Sequence, residues 1–341
     1  MPSAIQTRDT SPVLASIAGL GHYLPETTIT NKDLEALVDT SDSWITSRTG
    51  ISSRRRAGAG QATSDLAIEA SRAALDDANI DAADIDMILL ATATPDLPVP
   101  SSACIIQNAL GASNAGAMDI NAGCSGFLYA LHTACAFVRS GQARRVLAIG
   151  SETLTRITDY TDRRTCVLFG DGAGACVIAD HGRMDLIYSQ VRSDGSQADL
   201  IQIPAGGSRT PASSQTIADH QHFLQLDGTR VFKQAVRRMV EAAHEGLAAT
   251  GLSASDVSWV IPHQANARIL TAVAEQVGIA VPRVVNDIAE TGNTSAASVP
   301  IALNRARSAG VFEPGQLIML LAFGAGLTWA CQILRYTDSN E

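Results

Sequence analysis

The chain has 341 residues, 46% hydrophobic and 17% charged, with a formal net charge of -9; that is enough apolar material for a large core and too acidic for general nucleic-acid binding. It contains no run of about 18 apolar residues and no basic-then-apolar leader, so no membrane span or signal peptide is expected and the cytoplasm is the expected location. Six cysteines, at 104, 124, 135, 166, 176 and 331, include no C-x-x-C pair, which argues against zinc and against a disulfide framework, and five of them read as core fillers.

Residues 1–12 are polar and aperiodic and read as an N-terminal extension. From Val13 a strand-like segment leads through Gly19 and Gly21 to Leu24-Pro25, and Thr30-Asn-Lys-Asp33 is a capping signal for a helix over 34–38. Residues 39–56 form a polar loop carrying Trp44 and four arginines. Such a loop is either a solvated surface or an aromatic plate beside guanidinium groups that grips a nucleotide-bearing ligand.

A repeat follows. Helical periodicity over 65–78 and an apolar strand ending at Ala91 return, 172 positions later, as a helix over 231–249 and a strand ending at His263. Gly123-Cys124 and Gly292-Asn293, 169 apart, each open a helix whose closing glycine, Gly141 or Gly310, lies 17 residues beyond Cys124 or Asn293. Phe169-Gly-Asp-Gly-Ala-Gly and Phe323-Gly-Ala-Gly correspond at an offset of 154. Three ordered correspondences indicate a duplicated α/β unit whose sites lie at the carboxyl ends of strands. They pair Cys124 with Asn293 and bring His263 to the same boundary.

Cys124 stands in Asp119-Ile-Asn-Ala-Gly-Cys-Ser-Gly-Phe127, where a short strand meets a helix start. Unpaired N–H groups at such a start favour the nucleophilic thiolate; the alternative is a small buried hydrophobe. Gly170-Asp-Gly-Ala-Gly174 lacks the G-x-G-x-x-G spacing of a nicotinamide site, and His220-Gln-His222 reads as a solvated loop more readily than as a metal ligand pair.

In this order, Thr40-Ser-Asp-Ser-Trp-Ile-Thr-Ser-Arg-Thr-Gly-Ile51, Asn121-Ala-Gly-Cys-Ser-Gly-Phe127, Phe169-Gly-Asp-Gly-Ala-Gly174, Pro262-His-Gln-Ala-Asn-Ala-Arg-Ile269, Gly292-Asn-Thr-Ser-Ala-Ala-Ser-Val-Pro300 and Phe323-Gly-Ala-Gly-Leu-Thr-Trp329 resemble the β-ketoacyl-acyl-carrier-protein synthases III over nearly everything from Val13 to Tyr336. The resemblance implies a duplicated thiolase-like α/β fold, layered α/β/α/β/α, with halves over 13–180 and 181–341. It also implies a homodimer and a catalytic Cys124, His263 and Asn293. Cys124 would carry the acyl primer, while His263 and Asn293 would stabilise the enolate left when a malonyl thioester loses CO2. Backbone N–H groups of Cys124 and Ala325 would bind the acyl oxygen; many relatives have Gly at the latter position. Phe232 would desolvate the malonyl carboxylate. Trp44 and Arg163 would sandwich the adenine of coenzyme A, with Arg48 toward its phosphates and Arg164 sharing that contact.

Lys233 and Arg268 match a docking patch for the acidic acyl carrier protein, although Glu275-Gln276 stands where some relatives have lysines. Val99 falls where acetyl-selective relatives often carry Phe, leaving room for a longer, branched or aromatic primer unless neighbouring side chains fill it. The implied substrates are an acyl-CoA and malonyl-acyl carrier protein, with no metal or other cofactor and no nucleic-acid or membrane partner. Two alternatives share these residues: a quinolone or polyketide-starter synthase, able to use malonyl-CoA, and acyl transfer without a new carbon bond.

Overall fold

The computed structural model describes residues 15–338; the expected extension over 1–12 lies outside them. Local chemistry sets the element ends. The long helix Gly228–Thr250 begins at Asp227, whose side chain accepts from Arg230 N–H, and stops at Gly251 with φ 69°. Asn266 and Gly278 play the same parts for Ala267–Val277. Residues expected to be a polar loop include a helix, Asp42–Thr49, capped by Ser41 and closed by Gly50, and then a strand, Ser53–Arg56. Loop-like composition concealed this helix, because its exposed face is polar and only Ile45 and Thr49 are buried. The capping signal at Thr30 is real, but its helix is Asn31–Glu35.

Among the described residues the main sheet has nine strands, in the order Val257–Pro262, Leu317–Gly324, Thr328–Tyr336, Met184–Ser193, Ser16–Tyr23, Asp171–Ala179, Val146–Thr153, Met87–Ala91 and Gly116–Ile120. It is two half-sheets joined at one corner, where Ser16 pairs with Asp185 and Ile17 with Met184. One core cluster lies on the N-terminal half-sheet under Thr63–Ala78 and Ser102–Leu110. Another lies on the C-terminal half-sheet under Gly228–Thr250 and Ala267–Val277. The largest fills the middle, where Gly126–Arg139 and Ser298–Ser308 pack between the two half-sheets. Layers therefore run helix, sheet, helix, sheet, helix. The expected division near 180 falls in the turn between Asp171–Ala179 and Met184–Ser193. Cys135, Cys166, Cys176 and Cys331 are buried, but Cys104 is exposed, on the outward face of Ser102–Leu110, so it is not a core filler.

The repeat is tighter than its sequence suggests. Met87 pairs with Val146, and Trp259, 172 positions on, pairs with Ile318, also 172 on, in the same parallel sense. The short turns Gly123–Ser125 and Ser295–Ala297 and the starts of the helices behind them keep that offset. Cys124 therefore corresponds to Ala296, and Asn293 to Asn121, which corrects the pairing of Cys124 with Asn293. The error has a cause. Gly126–Arg139 has 14 residues and Ser298–Ser308 has 11, so the closing glycine of the second copy moved and mimicked an offset of 169.

The central turns meet the sheets at backbone distance. A Cβ on Gly150 would lie 2.4 Å from the Ala296 carbonyl oxygen. Gly150→Ala is expected to destabilise the fold by about 1–3 kcal/mol, the cost of overpacking a close contact, seen as a lower urea midpoint with unchanged slope.

Candidate active site

Cys124 sits in the turn Gly123–Ser125, two residues ahead of the helix Gly126–Arg139. Gly123 enters the turn at φ 53°, with Ala325 N 2.8 Å from where its Cβ would be, while Gly324 abuts Cys124 N in the same way at 2.5 Å. Absent side chains thus let the backbone around Ala325 close onto Cys124, the arrangement needed for both N–H groups to face one acyl oxygen. The thiol itself is enclosed, and burial pushes it up from 9.0 to about 11 against a lowering interaction with the Ser295 side chain. A helix-end effect of about 0.3–1 kcal/mol is worth less than one pKa unit. Desolvation thus opposes the thiolate that the helix start favours.

His263 follows the end of Val257–Pro262, its N–H bonded to Leu321 O at 2.7 Å. It is 3% exposed, and burial drives its pKa down from 6.5 to about 3, so the ring is neutral. Its Nδ1 is 2.7 Å from Ser298 Oγ, which also accepts from Gln264 N–H at 3.3 Å. When the Ser298 hydroxyl donates to Nδ1, the imidazole hydrogen sits on Nε2. Asn293 is clamped to the 168–170 segment by its N–H to Leu168 O at 2.9 Å and by its carbonyl, which accepts from Gly170 N–H at 3.0 Å. Its side-chain Oδ1 accepts from Ser295 N–H at 2.9 Å, so the amide NH2 is the end left to donate.

Cys124, His263, Asn293 and Phe232 line one cavity of about 180 Å³, together with Phe169 and Phe323. Cys124 also lines a second cavity of about 230 Å³ with Ala325, Ser295, Leu154, Ile157 and Leu224. Cys124 therefore stands where two chambers meet, one shared with His263 and Asn293 and one with Ser295 and Ala325.

Of the remaining expected residues, only Arg164 lines either chamber. Arg163 covers the Trp44 ring at 4.8 Å and donates to Asp39 O at 2.6 Å. A base between them needs two stacking separations, roughly 7 Å, so a sandwich requires Arg163 to swing outward. Arg48 is exposed, but its carbonyl accepts from Asn266 Nδ2 at 3.0 Å, and Asn266 lines the chamber of His263 and Asn293. Arg164 also lines that chamber and is paired with Asp162 at 2.9 Å. Lys233 and Arg268 are exposed, the latter 5.7 Å above the Phe232 ring. Val99 is 83% exposed and lines neither chamber of its own chain. The loop after Met87–Ala91 carries it outward.

Three residues were missed in the sequence: Ser298, which orients His263; Ser295, which holds Asn293; and Glu152, buried at the end of Val146–Thr153. Only Glu152 carried a visible signal, a charge inside an apolar run. Ser298→Ala is expected to let the His263 hydrogen redistribute between its nitrogens, visible as converging ¹⁵N ring shifts in histidine-labelled protein.

The family model described as "3-Oxoacyl-[acyl-carrier-protein (ACP)] synthase III" matches residues 118–195, and its C-terminal companion matches 247–336. A β-ketoacyl-[acyl-carrier-protein] synthase III of Caldanaerobacter subterraneus subsp. tengcongensis is 50% identical over 95% of this chain and 98% of its own. The 3-oxoacyl-[acyl-carrier-protein] synthase III of Aquifex aeolicus superposes with TM-score 0.87 at 44% identity, over 94% of this chain and 100% of that one. The priming β-ketosynthase of the R1128 polyketide pathway gives 0.88 at 35% identity, over 98% and 99%. With half of its residues shared with a relative along almost the whole length, the chain belongs to the β-ketoacyl-[acyl-carrier-protein] synthase III family.

Proposed function

We infer that this chain condenses an acyl-CoA primer with malonyl-acyl carrier protein, releasing CO2 and CoA and giving the 3-oxoacyl-acyl carrier protein that starts fatty acid synthesis. The observation that carries this reading is the shared chamber of Cys124, His263 and Asn293, with the histidine neutral. Cys124 takes the acyl group from CoA, with the oxyanion facing the Cys124 and Ala325 N–H groups. CoA leaves, and the malonyl thioester enters. Its carbonyl oxygen accepts from His263 Nε2–H and the Asn293 amide, Phe232 keeps its carboxylate from water, and loss of CO2 leaves an enolate held by two neutral donors. The enolate carbon attacks the acyl-cysteine, and the chemistry is complete without a metal or prosthetic group.

Trp44, Arg163 and Arg48 are proposed to hold the CoA nucleotide, with Arg164 sharing phosphate contact. Lys233 and Arg268 flank the Phe232 entrance as a docking face for an acidic carrier, and Arg237 adds a third cation beside Lys233. A homodimer in the cytoplasm is also proposed, and no helix among the described residues is long and apolar enough to cross a membrane. Leu97 and Val99, 51% and 83% exposed, form an apolar loop suited to a subunit contact, through which Val99 would reach the partner's primer chamber. The fatty-acid reading stands ahead of the quinolone and polyketide-starter readings because identity is 50% to a relative named as a synthase III and 35% to the polyketide-pathway enzyme.

Cys124→Ala should abolish the mass increment left by labelled acyl-CoA. Asn293→Ala should slow CO2 release from malonyl-acyl carrier protein about 100- to 1,000-fold, the scale of one oxyanion donor; unchanged CO2 release would reject the assignment. Because His263 charges only near pH 3, CO2 release should show no histidine limb from roughly pH 5 to 8.

A further inference from the structure

The two halves of the repeat end their outer strands differently. In the N-terminal half, Met87–Ala91 and Gly116–Ile120 stay paired to their last residues, a further bond runs from Thr92 N–H to Ile120 O at 3.2 Å, and Asn121 follows at once. In the C-terminal half, Val257–Pro262 meets its outer neighbour through the bridge of Val260 with Val284 and the bond from Val285 N–H to Val260 O at 2.9 Å. Asn293, the counterpart of Asn121, lies nine residues beyond Val284, past an irregular stretch and the short helix Ile288–Thr291. The ladder therefore ends well short of it.

The Gln264 side chain takes over where the ladder stops. It stands next to His263, is 1% exposed, and uses its whole amide: Nε2 donates to Pro262 O at 2.7 Å and to Val285 O at 3.1 Å, and Oε1 accepts from Asp287 N–H at 2.8 Å. Two carbonyls and one N–H around the group leave one orientation that satisfies all three. Asp287 is gripped in turn by the Thr291 hydroxyl, which lies 2.9 Å from its carbonyl oxygen and 3.1 Å from that of Gly292. Arg305 holds the Asp287 carboxylate at 3.1 Å. Hydrogen bonds thus run without a break from the turn that carries His263 to the segment that carries Asn293. The far side of Asn293 is fixed separately, by Leu168 O and Gly170 N–H.

We propose that Gln264 is a positioning residue for decarboxylation: its amide holds the His263 turn and the segment leading to Asn293 at the separation that lets both donate to one thioester oxygen. This rests on the condensation reading. Gln264 lines neither chamber, so it acts through His263 and Asn293 and not on the substrate. The position needs two donors and one acceptor on a single planar group, and an amide supplies them without a buried charge. Acylation draws on other segments. Cys124 stands in the turn Gly123–Ser125 and Ala325 follows the strand Leu317–Gly324, and the Gln264 amide bonds to neither. The two half-reactions therefore depend on Gln264 unequally.

The test compares the two half-reactions in the wild type and in Gln264→Met, which keeps the length of the side chain and removes its amide. Acyl-enzyme formation, followed by rapid quench and intact-protein mass, should stay near the wild-type rate. CO2 release from malonyl-acyl carrier protein should fall about 10- to 100-fold in kcat with KM near its wild-type value, the cost of donors displaced by about 1 Å. In an Asn293→Ala background the same substitution should have a much smaller effect, because one of the donors it positions is gone. Thr291→Val should show the same pattern more weakly, and it decides the matter if Gln264→Met fails to fold. Equal losses in both half-reactions, effects of Gln264→Met and Asn293→Ala that multiply in full, or unchanged CO2 release in the variant that folds overturn the positioning role alone. Wild-type protein that releases no CO2 overturns the condensation reading, and the positioning role with it.

Discussion

The constraint on which the rest depends is the contact between two helix-start turns at the centre of the molecule. Gly123–Ser125 and Ser295–Ala297 pack against each other and against strand ends whose residues must be small. A Cβ on Gly126 would lie 3.0 Å from Ala91 Cβ and 3.5 Å from Ala296 Cβ, and one on Gly324 would strike Cys124 N. Close approach brings Cys124 of one half beside His263 and Asn293 of the other. The same approach buries His263 and Asn293 between the layers.

Dryness then sets the electrostatics. One cause, burial, raises the Cys124 thiol to about 11 and Glu152 to about 7 and lowers His263 to about 3. Each group is pushed toward its neutral form. A site of neutral donors suits a reaction whose charge appears only as CO2 departs, since the donors need not reorganise when it does.

Duplication explains how such a site is assembled and why its copies differ. Both half-sheets use the same parallel register, and both turns start from a left-handed residue. The positions matching Cys124 and Asn293 are Ala296 and Asn121, so each half has specialised at a different point of one shared scaffold. The buried Arg54, bonded to Asn31 Oδ1 at 2.9 Å and to Val167 O at 2.8 Å, supports the segment that clamps Asn293. An arginine within a stretch that suggested ligand binding thus acts as a strut.

The sequence by itself determined the fold class, the existence of the repeat and the family resemblance that points to Cys124, His263 and Asn293, because short-range signals and ordered motifs carry them. Glycines mark close approach, apolar runs mark strands, and the motif residues stand in fixed order. Only the tertiary structure decided the register of the repeat, since a helix shortened by three residues disguised it. The same holds for the burial of the thiol, which opposes the thiolate that the local helix start favours. The outward position of Val99, the stacking of Arg163 on Trp44, and the contacts of Ser298 and Glu152 arise between segments far apart in the chain. Hydrogen-bond partners 35 positions apart, as for Ser298 and His263, leave no periodic trace in a sequence, because their meeting depends on how the layers stack.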